Sequence, residues 1–140
     1  EFRRVLFRSL SEGAAEADIL LRLGLDSRAG DRAIAAAHRI LAIPQLAPAF
    51  DPARHQRAHN EMAFLDGDGG LFRIDRLVEF KEEIWVLDYK TGSLDESDLA
   101  RRALPYREQI EAYRQAARQL YPGRTVRAAL AFADGKVWWM

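Results

Sequence analysis

The sequence lacks cysteine entirely, since none occurs among its 140 residues. This absence excludes disulfide bonds, zinc sites with cysteine ligands and iron–sulfur clusters. The chain also lacks a net charge, because 21 basic side chains balance 21 acidic ones. Without a basic excess, the composition gives no general attraction to nucleic acid, so any binding would have to use a local groove.

Long apolar segments are missing as well. No apolar run approaches the roughly 20 residues that a membrane-spanning helix needs, and no targeting segment is recognisable. We therefore expect a cytoplasmic location and no membrane partner. What is present is ordinary, with 49% hydrophobic and 30% charged residues in a length that fits a single domain with its own core.

The stretch from residue 70 to residue 92 reads as two strands joined by a short charged turn. The second strand is the apolar run Ile-Trp-Val-Leu followed by Asp88, whose carboxylate is costly there unless it is paired or binds a cation. Because side chains alternate along a strand, Asp88 and Lys90 point into one site, and Asp75 shares a face with Leu77. If the strands pair as a hairpin, Asp75 comes alongside Asp88. This arrangement predicts a Mg²⁺ site with an ammonium group beside it.

A plainer interpretation of the same residues is open. Asp88 and Lys90 could form a simple salt bridge, and Asp75 could be a surface partner of the neighbouring Arg73 and Arg76. The metal site is favoured because one acid closes an apolar strand and a second acid lies on the preceding strand.

The remaining chain divides into a helical lead-in, residues 10–50, and a core, residues 51–140. In the lead-in, Ser11 is expected to cap one helix and Asp31 to open another. Pro44 either ends that second helix or begins a new short turn over residues 44–50. In the core, we expect a first strand over residues 57–65, with a turn over residues 66–70 that pairs it with the next strand. Further predicted elements are a helix from Pro105 and two strands, 125–133 and 137–140, joined by an Asp-Gly turn.

Residues 1–9, Glu-Phe-Arg-Arg-Val-Leu-Phe-Arg-Ser, look foreign to the rest of the chain. One choice of codons for them resembles the end of a widely used DNA-sequencing adapter. We therefore expect these residues to be non-native, to replace the natural sequence before about Leu10, and either to project away from the core or to be poorly defined. The alternative is a short basic, apolar helix.

Four further residues could contribute ligands. Glu61 on the first strand would lie near Asp75 if the register allows. His38, His55 and His59 could each be ligands, but an ordinary structural role is the favoured interpretation for all three.

Three strings resemble, in the right order, the motif set of RecB-type nucleases, a branch of the restriction-endonuclease-like superfamily. They are Arg73-Ile-Asp75-Arg-Leu, Val86-Leu-Asp88-Tyr-Lys90-Thr-Gly92 and Tyr106-Arg-Glu-Gln109-Ile-Glu-Ala-Tyr113. The similarity points to the C-terminal nuclease domain of helicase–nuclease subunits such as AddA and the exonuclease V beta subunit. It implies an α/β (mixed α+β) fold, a central mixed sheet flanked by helices. It also implies Mg²⁺- or Mn²⁺-dependent DNA exonuclease activity, with a partner subunit, in double-strand-break repair.

The resemblance also assigns roles to residues. It implies that Asp75, Asp88 and the Tyr89 carbonyl hold the metal, and that Lys90 orients the attacking water and offsets phosphate charge. Gln109 and Tyr113 would support the site and contact the DNA backbone, and Glu61 matches an acid that is frequent on the first strand.

One departure from this family concerns an upstream helix. Its members carry a histidine ligand there, typically in Gly-x-x-x-His, and no such motif follows Leu10. The 140-residue chain alone is therefore expected to bind Mg²⁺ weakly and to cut DNA poorly. Two other functions remain open: a catalytically silent nuclease-like fold that binds DNA or serves as a structural module, and a small-molecule metal hydrolase.

Overall fold

A single mixed sheet of five strands, in the order β1-β2-β3-β4-β5, forms the centre of the molecule. The computed structural model describes residues 2–13, 15–24, 26–65, 67–92 and 95–140. Neighbouring strands are antiparallel except for the parallel pair β3 and β4. The strands are β1 (Arg57–Leu65), β2 (Leu71–Glu79), β3 (Glu83–Lys90), β4 (Thr125–Phe132) and β5 (Val137–Trp139). The predicted mixed sheet is thus confirmed, and each strand lies within about a residue of its predicted bounds.

Helices cover both faces of the sheet. A parallel strand pair needs a long crossover, and the helices between β3 and β4 provide it. The crossover contains α5 (Leu99–Ala103), a 3₁₀ turn (Leu104–Tyr106) and α6 (Arg107–Leu120). The lead-in contains α1 (Phe2–Ser11), α2 (Glu16–Leu23), α3 (Ser27–Leu41), a 3₁₀ turn (Pro44–Leu46) and α4 (Ala47–Phe50).

Two apolar cores result, one on each face of the sheet. On one face, the lead-in helices pack on β3 and β4 around Ile40, Leu46, Leu87 and Tyr89. On the other face, Ile110, Tyr113 and Ala117 of α6 pack against Val86 and Leu130 among others. Because β3 is covered on both faces, its residues 84–89 are all buried, as its apolar sequence predicts.

Several predicted helix starts are wrong by a few residues. Ser11 is the last residue of α1 and does not cap α2. The cap of α3 is Asp26, whose Oδ1 accepts the Ala29 N–H at 2.9 Å, so the helix begins at Ser27, four residues before Asp31. The first turn of α3 carries few apolar residues, so hydrophobic periodicity does not reveal it. Pro105 lies in the 3₁₀ turn before α6, which begins at Arg107.

The expectation that residues 1–9 project away from the core is also wrong for the described ones. Leu6 and Phe7 of α1 are each only 2% exposed, and the Phe7 ring stacks on Tyr89 with ring centroids 4.0 Å apart. The alternative of a short basic, apolar helix is the one that the structure contains. The adapter origin of these residues and the proposed domain boundaries remain predictions.

Across the described residues, no single helix is both long and apolar enough to span a membrane. One bent pair, Arg28–Leu41 with Pro44–Phe50, reaches the required length and composition only when both parts are taken together.

Candidate metal centre

The site lies where β2 and β3 separate. Their ladder ends at the pair Arg76–Leu87, so the next position brings Asp75 opposite Asp88. Beyond that point, the Tyr89 N–H donates to Asp75 Oδ2 at 2.9 Å. The Asp75 carboxylate therefore takes the place that a strand carbonyl occupies in a continuing ladder, and it fills a fork between the two strands.

An irregularity in β1 accompanies this fork. Asn60 pairs with Arg76 and Met62 pairs with Ile74, but Glu61 between them has φ of 55° and makes no regular pair with Asp75. Ile74 and Leu77 both face the α6 core although they are three positions apart. The strict alternation that the sequence predicts for β2 therefore fails here, because the chain is distorted between those two residues.

Both acids at the fork are buried. Asp75 is 3% exposed and Asp88 2%, so the surface pairing that was open for Asp75 is wrong. Lys90 Nζ lies 2.7 Å from Asp88 Oδ2, which means that the expected salt bridge exists inside a buried cluster. Apart from this ion pair, Asp88 Oδ2 accepts no hydrogen bond of regular geometry from any described residue.

The electrostatics of the cluster favour a cation. Burial first, and then the negative charge of Asp75, raise the pKa of Asp88 to about 7, while the Lys90 ammonium opposes this rise without cancelling it. A buried carboxylate oxygen without a hydrogen bond, next to a second carboxylate, is a hard donor set that suits Mg²⁺. The residues thus fit a divalent cation, which Asp75, Asp88 and the Tyr89 carbonyl would hold.

Glu61 lies at the register position opposite Asp75 and forms an ion pair elsewhere. Its Oε2 is 2.7 Å from Arg8 Nη1 on α1. Glu61 is therefore near the fork, as the register argument predicted, but its carboxylate is shared with a basic side chain of the lead-in.

The three histidines lie away from the acid pair. His38 contacts Glu16, His55 contacts the Pro48 carbonyl, and His59 contacts Glu79. Within the described ranges, no group of three or more histidine, aspartate or glutamate side chains is arranged to hold a metal ion. The structural interpretation favoured for these histidines agrees with these contacts.

Gln109 and Tyr113 occupy different environments on α6. Tyr113 is buried and packs edge-on against Phe64 and Phe72, with centroid distances of 6.1 and 6.0 Å. Gln109 is exposed. Tyr113 is thus a core residue that fixes α6 against the β1–β2 hairpin, and contact of either side chain with DNA remains a prediction.

One neighbour of the site was not predicted. Lys90 Nζ lies 4.1 Å from the centre of the Tyr106 ring. Tyr106 belongs to the same motif string as Gln109, but the sequence spacing within one helix carries no information about a contact with β3.

Comparison with protein families decides the family of this chain. A profile of the PD-(D/E)XK nuclease superfamily matches residues 2–137. The chain belongs to the PD-(D/E)XK nuclease superfamily. Members of the superfamily typically use divalent metals such as Mg²⁺. A search of curated proteins finds no match.

Proposed function

We propose that this chain is a Mg²⁺-dependent deoxyribonuclease domain in which Asp75, Asp88 and Lys90 are the catalytic residues. The observation that carries the proposal is the burial of two neighbouring carboxylates beside one lysine at the fork. Buried acids that face each other destabilise a fold unless a cation neutralises them. Membership of a nuclease superfamily supports the same chemistry.

The roles of the residues follow from their positions. Asp75 is held by the Tyr89 N–H and presents its carboxylate to the fork, while Asp88 presents the oxygen that accepts no hydrogen bond. A divalent cation supplies, when bound, an activated water and neutralising charge. Lys90 places an ammonium beside the acids, where negative charge grows on a phosphate during hydrolysis. Mn²⁺, which also accepts oxygen ligands, would serve in place of Mg²⁺.

The wider proposal concerns the protein that contains this domain. The three motif strings favour a helicase–nuclease subunit of the AddA or exonuclease V beta type, which degrades linear DNA in cytoplasmic double-strand-break repair together with a second subunit. Helicase motifs in the gene upstream would support this proposal, and an unrelated upstream reading frame would contradict it.

The direct test is degradation of linear DNA in Mg²⁺ by this chain and by variants of it. Asp88→Asn and Lys90→Met should each lower the rate about 10³-fold, because each removes a charge from the reacting centre. Calorimetric titration should show weaker Mg²⁺ binding for Asp88→Asn.

Matched controls lie in the β2–β3 turn. Glu82 and Lys81 are exposed there, so Glu82→Gln and Lys81→Met remove the same charges without touching the fork. Both should cleave at the wild-type rate. Equal cleavage by Asp88→Asn and wild type would refute the nuclease assignment. If the wild type and all variants bind DNA and none cleaves it, the result would favour the catalytically silent fold.

A further inference from the structure

The ammonium group of Lys90 lies between two different partners. On one side, Asp88 Oδ2 is 2.7 Å from Nζ, and on the other, the face of the Tyr106 ring is centred 4.1 Å away. The lysine side chain is only 12% exposed. A lysine ends in a compact charge on a flexible four-carbon stem, so these two partners determine where the charge lies.

Rigid elements hold the Tyr106 ring in place. Tyr106 is the last residue of the 3₁₀ turn, directly after Pro105 and before α6. Ala103, just before the turn, is fully buried, and Ile110 of α6 is buried in the second core. The backbone that carries the ring is therefore held by buried residues on both sides.

The two partners of Lys90 differ in one respect: Asp88 is also a candidate metal ligand, and the Tyr106 ring is not. If a cation engages the Asp88 carboxylate, that carboxylate has less negative charge to share with Lys90. The face of an aromatic ring attracts a cation through its π electrons. This attraction uses neither the Asp88 carboxylate that would bind the metal nor the phosphate of the substrate. When the Asp88 carboxylate also binds a metal cation, the Tyr106 ring remains as a partner of the Lys90 ammonium.

A cavity of about 320 Å³ opens next to this contact. Its lining includes Lys90, Tyr106, the basic residues Arg101 and Arg102, and the acidic residues Asp95 and Glu96. Its volume is at the lower end of the range for small-ligand sites, which is enough for a phosphodiester group and part of a sugar. The Tyr106 ring thus sits at the point where Lys90 meets the space open to substrate.

We propose that Tyr106 is a positioning residue whose ring holds the Lys90 ammonium towards this cavity, so that the charge stays aimed at the substrate phosphate. The proposal rests on the proposed nuclease function. It predicts that the ring face matters and the phenolic hydroxyl does not.

The test uses a series of ring substitutions in this chain. Tyr106→Phe keeps the ring and should cleave linear DNA within about twofold of wild type, whereas Tyr106→Leu should lose about tenfold in kcat. Replacing Tyr106 with phenylalanines that carry one, two or three fluorine atoms weakens the negative ring face while nearly preserving ring volume. The rate should fall stepwise along that series, and the steps should vanish in a Lys90→Met background.

Tyr121→Leu is the matched control, since Tyr121 ends α6 at the opposite side from Tyr106. It should leave cleavage unchanged. A flat rate across the fluorinated series, or a wild-type rate for Tyr106→Leu, would overturn the proposal, because ring volume alone would then explain the residue.

A readout that needs no cleavage separates this proposal from the proposed function. The ring current of Tyr106 should displace the proton resonances of the Lys90 ε-methylene group upfield in NMR spectra. The displacement should persist in Tyr106→Phe and disappear in Tyr106→Leu. If the shift is present and wild type does not cleave DNA, the nuclease assignment fails. If wild type cleaves and the shift is absent, the positioning role fails.

Discussion

The two ends of β3 carry the same kinds of charge in opposite environments. At its beginning, Lys81 and Glu82 are exposed in the turn that the Phe80 N–H closes by donating to the Glu83 carbonyl at 2.9 Å. At its end, Asp88 is 2% exposed and the Lys90 side chain 12%. Solvated charges in a turn cost the fold little, whereas buried ones need compensation. The charges at the far end of β3 therefore need compensation from their surroundings, and those at the near end do not.

The largest expected effect on stability comes from the protonation state of Asp88 in the metal-free protein. The raised pKa of Asp88 means that the folded state retains a proton that the unfolded state has lost between pH 4 and about 7. Deprotonation then favours unfolding, so the free energy of unfolding should fall as pH rises through this window. The fall should be at most about 1.4 kcal/mol per pH unit, on the order of 4 kcal/mol in all, and should level off above pH 7.

Chemical denaturation of the metal-free protein at several pH values measures this slope. Asp88→Asn should flatten it and should be more stable than wild type at pH 8, whereas Glu82→Gln should keep the wild-type slope and stability within about 0.5 kcal/mol. A wild-type slope in Asp88→Asn would show that the difference between the two ends has another origin.

The next prediction concerns the packing of α1 against the buried end of β3. Phe7 of α1 stacks on Tyr89, between Asp88 and Lys90, and is almost fully buried. Phe7→Ala should lower the free energy of unfolding by about 3 kcal/mol, because it removes a large buried ring. Leu21→Ala, at a position 84% exposed, is the control and should change stability little. A loss below about 0.5 kcal/mol for Phe7→Ala would instead support the expectation that residues 1–9 do not belong to the core.

Local features of the sequence predicted the sheet well. The turn residues around Gly69 and Gly135, which both have positive φ, fix hairpins whose strands are neighbours in the chain. Charged residues at the end of an apolar strand also singled out Asp88 and Lys90, because burial of charge is visible as a break in a hydrophobic pattern.

Contacts between distant segments could not be predicted in the same way. The Asp75 fork depends on where the β2–β3 ladder stops, and the Tyr106–Lys90 contact depends on how the crossover returns over β3. Neither leaves a periodic signal in the sequence. The cap at Asp26 was overlooked for a local reason, since the first turn of α3 has little apolar character.

The smallest expected effect concerns Arg8, a basic residue of the lead-in whose side chain pairs with Glu61. Its Nη1 pairs with Glu61 at 2.7 Å, but the Arg8 side chain is 44% exposed, so solvent screens the pair. Arg8→Ala should therefore cost only about 0.5 kcal/mol of stability. Glu61 lies opposite Asp75 in the register, so losing the guanidinium should also reduce repulsion of a divalent cation at the fork and tighten Mg²⁺ binding about twofold. Calorimetric titration at low ionic strength measures the change, with the exposed Arg118→Ala on α6 as the control. Unchanged Mg²⁺ affinity in Arg8→Ala would show that the positive charge of Arg8 does not affect cation binding at the fork. The difference between the two ends of β3 would then rest on Lys90.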